Sequence, residues 1–362
     1  MDAFEQAQSI RYLDDTRLKT HFIDPKNINN YEAGLALNSL KISKEITPDI
    51  FNSLEETCNS LKLNINCVKA YVSSSSEIQA SCMSFNKESC LITLTSKIVN
   101  LLSFEELKFV MGHEIGHFLL GHNIEEILSL ESKESYIKKR AQEISVDRIG
   151  LWACKDLNIA TRAIIKTLSG LDENYIKFNM QAFLNQLDSS VAKNEESGQF
   201  STHPSFVLRA KALLRFSLSD PFQRFVKNSK GSDLTEIDEL IQKDLDTYID
   251  GELRQDIKKG KENIFFWCYS YAFVKKGSFT KENQNILKQK FGKEMNDKLI
   301  NMIKDKSTDE VINSCKEKLL TSIKSFKTMA PTKAKKDLNL IILEVESETN
   351  QKDFFNEILK EI

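Results

Sequence analysis

From Thr47 onward, apolar positions recur at helical spacing. Ile50, Phe51, Leu54, Cys58 and Leu61 share one face, and Thr47-Pro48 supplies an N-cap with proline at the first helical position. The period then changes. Residues 67–73, 78–85 and 91–95 are short runs rich in β-branched and apolar side chains, and they predict a small sheet. Gln79-Ala80-Ser81 reads as an edge of it, either a plain packing strand or a backbone template for an extended peptide. Helical spacing returns at Ser103. Ser103 and Glu106 form an S-x-x-E capping box, and Leu107, Val110, Met111 and Phe118 follow near helical spacing.

Four more helices are predicted over 136–157, 160–171, 178–187 and 205–215, with polar connections at 123–135 and 189–201. Beyond about 216 no strand signal is left. Leu234, Ile237, Ile241, Leu245 and Tyr248 share a helical face, and so do Ile286, Leu287 and Met295. A further helix carrying Ile323 and Phe326 stops before Pro331, and 338–345 and 354–362 read as the last two. The expected fold class is α+β, mostly α: a helical domain with a small β-sheet before the helix that starts at Ser103, and an all-helical C-terminal domain. The expected division is an N-terminal arm or flanking helices over 1–45, the sheet-containing domain over 46–217 and the helical domain over 218–362.

The helix that begins after Ser103 carries His113-Glu114-Ile115-Gly116-His117. Residues i and i+4 lie on one helix face, so the two imidazoles reach one metal ion from the same side. Glu114 stands beside the first of them, placed to act on water. This is the H-E-x-x-H arrangement of zinc peptidases.

Composition narrows the setting without changing this picture. Charged residues make up 28% of the 362 and hydrophobic ones 41%, as in an ordinary soluble globular protein. Twelve glycines and five prolines are few breakers for this length and favour helix. A net charge of −2 gives no reason to expect nucleic acid or an anionic membrane as partner. No signal peptide is visible at the N-terminus. The longest apolar stretch, 264–274, falls well short of the roughly 20 residues of a membrane span. Seven widely spaced cysteines with no C-x-x-C argue against a disulfide framework or a thiolate zinc site, and predict free thiols in a reducing cytoplasm.

A catalytic zinc takes three protein ligands. Of the five histidines, His122 is the tempting third. Its offset of five residues from His117 sets it about 140° round the helix, so it is expected to be a polar helix-end histidine. Glu143 is the better candidate. It shares a face with Asp147 on the next helix, so Glu143 is placed to ligate while Asp147 accepts the free N–H of a ligand histidine. The competing possibility is a pair of solvated acids. His203, in a Thr-His-Pro turn, is either a donor to a developing oxyanion or a capping residue. Arg209 either pairs with a carboxylate to hold that turn or is a surface arginine.

Residues from about 37 to 215 resemble the M48 peptidases, the zinc metallopeptidases that include the CAAX prenyl protease and HtpX, and most closely their soluble, membrane-free bacterial members. The resemblance rests on the Thr47-Pro48 helix, the strands, Phe104-Glu105-Glu106-Leu107, and Gly112 to His117. It continues through Glu143-x-x-Val146-Asp147-Arg148, and ends on Thr202-His203-Pro204 with Arg209. It implies one zinc per chain held by His113, His117 and Glu143, Glu114 as general base, His203 as transition-state stabiliser, and Asp147 and Arg209 as supporting residues. Val146 stands where the family usually has alanine, and Gln79-Ala80 where it has Asn-Ala, so contacts to a substrate strand are expected to differ. Residues 267–295 and 330–362 resemble TerB-like helical domains, although Lys276-Gly277 falls where that family often has Asp-Gly.

The expected function is a zinc metalloendopeptidase acting on polypeptides, with a protein partner for the C-terminal helices. The alternative is a zinc-binding adaptor or chaperone-like protein with weak or latent peptidase activity, acting through those helices.

Overall fold

The computed structural model describes residues 1–15, 25–84, 88–122, 132–188, 201–277, 279–350, 355, 356 and 358, with backbone alone over 25–31. Most of the polar connections predicted at 123–135 and 189–201, His21, and most of the final helix predicted at 354–362 lie outside them. The described chain forms two compact units, Met1–Leu128 with Ile137–Asp250, and Ser129–Tyr136 with Gly251–Ile362.

The first unit opens with α1 (Ala3–Ser9) and α2 (Pro25–Asn38), then β1 (Leu40–Lys41) and α3 (Pro48–Ser60). β2 (Val68–Ser73), β3 (Ala80–Ser84) and β4 (Cys90–Thr95) follow, then α4 (Ser96–Leu101) and α5 (Phe104–Leu120). It continues through α6 (Lys133–Cys154, in this unit from Ile137 onward), α7 (Leu157–Ser169), α8 (Met180–Leu184), α9 (Phe206–Ser217), α10 (Asp220–Lys227) and α11 (Leu234–Leu245). The α+β, mostly helical class is as expected. The sheet has four strands in the order β1-β2-β4-β3, one more than the three predicted runs. β2 and β4 run parallel, while β1 on β2 and β3 on β4 are antiparallel. β4 is central, and its near-continuous burial matches its apolar run. β3 is an edge, as its mixed burial suggests.

The capping box at the head of α5 forms as read. Glu106 N–H donates to Ser103 Oγ at 3.3 Å and Ser103 N–H donates to Glu106 Oε2 at 2.9 Å. Glu106 also accepts from the buried Lys166 Nζ of α7 at 2.8 Å, so the start of α5 is tied to the helix beside it. Thr47 caps α3 differently from expectation. Its hydroxyl turns back to the Ser43 carbonyl at 3.2 Å instead of binding the helix N–H groups.

α5 and α6 meet at their glycines. A Cβ on Gly112 would lie 2.6 Å from Ala153 Cβ, and one on Gly150 2.8 Å from the Phe109 carbonyl oxygen. Gly116 faces Val146, with a hypothetical Cβ at 3.1 Å. This close backbone approach sets Glu143 on α6 opposite the histidines of α5. Neither Ala153 Cβ nor helix backbone has room to yield. Gly112→Ala is therefore expected to destabilise the protein by about 1–3 kcal/mol, read as a lower urea midpoint.

The unit extends past the expected boundary at 217. Buried Arg140 donates from Nε to Asp250 Oδ1 at 2.7 Å, and buried Arg148 pairs with Asp238. These contacts tie residues up to Asp250 to α6. The second unit carries α12 (Gly251–Lys275), α13 (Lys281–Phe291), α14 (Lys293–Ile303), α15 (Thr308–Met329) and α16 (Pro331–Thr349), packed round its own apolar core of Phe266, Tyr269, Leu319 and Phe326. The stretch expected to be a buried helix, 264–274, is the buried half of α12. Among the described residues no helix is long and apolar enough to cross a membrane.

Candidate metal centre

α5 and α6 bring three ligand atoms together. One atom each of His113, His117 and Glu143 lies within 4.8 Å of the other two. His113 Nε2 is 3.6 Å from Glu143 Oε2, and His117 Nε2 is 3.6 Å from Glu143 Oε1. Around a tetrahedral zinc with bonds of about 2.0–2.2 Å, ligand atoms are separated by roughly 3.4 Å. Each histidine nitrogen stands at about this spacing from the Glu143 carboxylate, one from each oxygen, and such a set fits a zinc site with one position left for water. Among the described residues this is the one group of histidines, cysteines and acids that meets at such a spacing.

The supporting residues form an ordered set. Asp147 Oδ1 lies 2.9 Å from His113 Nδ1, and an ionised carboxylate only accepts, so Nδ1 carries the proton and Nε2 keeps its lone pair toward the cluster. Arg209 grips the same carboxylate with two bonds, Nε to Oδ2 at 2.8 Å and Nη2 to Oδ1 at 2.6 Å. Burial opposes the charge on Asp147, but Arg209 outweighs it and holds the carboxyl down at about 2. Arg209 Nη1 also lies 3.6 Å from Glu143 Oε2. His203 is 60% exposed and sits at the rim, its Nε2 3.5 Å from Glu143 Oε1 and its Nδ1 2.9 Å from Thr202 Oγ1.

Glu114 points into the same cavity, about 420 Å³ in volume. Burial pushes its carboxyl up to about 7, with Glu143 adding to the rise and His113 and Arg209 opposing it. His117 is held well below its ordinary value, first by burial and then by neighbouring positive groups, so it stays a neutral imidazole ready to donate a lone pair. Gln79 and Ala80 edge the cavity beside Ile78, and Ser81 comes next along β3. A larger cavity of about 740 Å³ belongs to the second unit, but none of its lining residues enters a metal-holding group.

Two residues that sequence reasoning did not place beside the cluster stand there. His122 Nδ1 is 3.1 Å from His117 Nδ1, and His122 Nε2 is 3.0 Å from Asp15 Oδ2. The geometry departs from the straight-helix angle because Gly121 ends α5 in the left-handed conformation, φ 74°, and folds the chain back. A glycine just before a histidine at a helix end was the available signal. Nothing in the sequence pointed to Asp15.

Residues 47–138 match the family model of peptidase family M48. The match supports a place for this region among the M48 peptidases. The chain is also similar to the plastoglobule-localized metallopeptidase 48, chloroplastic, of Arabidopsis thaliana, at 24% identity over 220 residues, covering 53% of this chain. It spans 63% of that protein's length. No solved structure matches the chain. The two likenesses support a metallopeptidase, and the M48 family implies a metal, usually zinc. The matched segment contains both motif histidines. Glu143, Asp147, His203 and Arg209 lie beyond it and join the site through the fold.

Proposed function

We propose that this chain is a zinc-dependent endopeptidase. The observation that carries the proposal is the convergence of His113, His117 and Glu143, with Glu114 buried beside them in a cavity edged by β3, the last strand of the sheet among the described residues. Zinc, when bound, supplies Lewis-acid chemistry, acidifying water and polarising a carbonyl.

The chain's own residues do the rest. An extended polypeptide adds to β3 through backbone hydrogen bonds, with Gln79, Ala80 and Ser81 setting its register. Glu114 takes the proton from the attacking water and returns it to the departing amine. Its carboxyl, near 7 in the buried site, suits both transfers. His203 donates from Nε2 to the oxyanion that develops on the substrate. Asp147 fixes the ring of His113, and Arg209 fixes Asp147. All seven cysteines are free thiols, which supports a reducing compartment.

The test is cleavage of an unfolded protein by the purified full-length chain. Chelation is expected to abolish cleavage and added zinc to restore it. Undiminished cleavage after metal depletion would contradict the proposal.

A further inference from the structure

The two histidines of the motif are held from behind in different ways. His113 meets a carboxylate directly, through Asp147. His117 meets one through a second imidazole. We infer that Asp15 and His122 are positioning residues for His117, so that the first fifteen residues of the chain complete the metal centre. The inference rests on the metal reading above and extends it to a segment outside the M48 match.

The proton positions follow from the distances. Asp15, as a carboxylate, only accepts, so His122 Nε2 carries the hydrogen across the 3.0 Å contact. That leaves Nδ1 as the ring nitrogen of His122 placed to accept. That atom faces His117 Nδ1 at 3.1 Å and accepts its hydrogen. His117 is thereby fixed in the Nδ1–H form, with the Nε2 lone pair directed at Glu143 Oε1, 3.6 Å away. Without the relay, a neutral imidazole in this place is free to put its hydrogen on Nε2, where it blocks ligation.

Asp15 is built into the unit rather than laid on it. It is 2% exposed, and the His122 side chain 4%. Tyr12 N–H donates to Ser145 Oγ of α6 at 3.1 Å, and Arg148 Nη1 donates to the Ile10 carbonyl at 3.0 Å. Leu13 N–H donates to Asp238 Oδ2 at 3.2 Å. Phe4 packs edge-on against Phe118 of α5 at 5.4 Å. These anchors fix the backbone up to Asp15 against the two helices that carry the ligands. Such outer partners typically change metal affinity by about 10–100-fold.

The experiment uses the full-length chain and three variants: Asp15→Ala, His122→Leu and His122→Gln. The glutamine side-chain oxygen is able to accept from His117 Nδ1, and leucine is not. Zinc affinity by chelator competition is expected to fall about 10–100-fold in His122→Leu and Asp15→Ala, and to recover most of that loss in His122→Gln. In metal-free protein labelled with 15N-histidine, the His117 signals are expected to report the Nδ1–H tautomer in wild type and His122→Gln. In His122→Leu they should move toward Nε2–H. An unchanged tautomer in His122→Leu, with zinc affinity within about twofold of wild type, overturns the inference. Because the tautomer is read without metal, it decides the relay even if wild type takes up no zinc, a result that would overturn the metal reading instead.

Discussion

Glu114→Gln is expected to lower peptide cleavage by at least about 10²–10⁴-fold while leaving metal content unchanged. The carboxylate is the one group in the cavity that combines burial, a value near 7 and freedom from the ligand cluster. Glutamine keeps the size and the hydrogen-bonding capacity of the side chain but neither takes a proton from water nor returns one. General acid–base catalysis is typically worth about 10²–10⁴-fold, or roughly 3–5 kcal/mol of barrier. His113, His117 and Glu143 are untouched, so zinc uptake should match wild type. Equal cleavage by wild type and Glu114→Gln would remove the proposed mechanism. Loss of zinc together with activity would show instead that Glu114 helps to hold the metal.

The second large effect is expected at Asp147. This carboxylate is 1% exposed and satisfies two partners, His113 Nδ1 and the guanidinium of Arg209. Asp147→Ala leaves Arg209 buried and deprived of its bidentate partner. Breaking a buried pair on one side destabilises by about 3–5 kcal/mol, because the remaining charge keeps its desolvation penalty. Urea unfolding of the metal-free protein should show that loss. Zinc affinity should also fall by about 10–100-fold, because the His113 ring is no longer fixed. The double variant Asp147→Ala with Arg209→Leu separates the two effects. Removing both charges should return most of the stability but not the affinity. A stability change below about 1 kcal/mol in the single variant would mean that the pair does not hold the site together.

How much of this was legible in the sequence depends on the range of the interaction. The capping box of Ser103 and Glu106 and the i, i+4 pairing of His113 with His117 are local, and local spacing reveals them. The acidic pair Glu143 and Asp147 was ambiguous alone, since solvated acids share a helix face equally well. The close crossing at Gly112, Gly116 and Gly150 turns that pair inward. β1 escaped because two residues carry no alternation to detect. The first unit ran on to Asp250 because Arg140 and Arg148 find carboxylates 110 and 90 residues away, a link no window of sequence contains. His122 stays at the helix end and outside the ligand group, but a single torsion, the left-handed turn at Gly121, brings it beside His117, and Asp15 reaches it across 107 residues.

The central claim is that His113, His117 and Glu143 together hold one zinc ion. Elemental analysis of the full-length chain and of Glu143→Ala, each exchanged into zinc-buffered solution, tests it most directly. Wild type is expected to hold one zinc per chain, and Glu143→Ala to lose it under the same buffering. A full zinc complement of unchanged affinity in Glu143→Ala would contradict the claim.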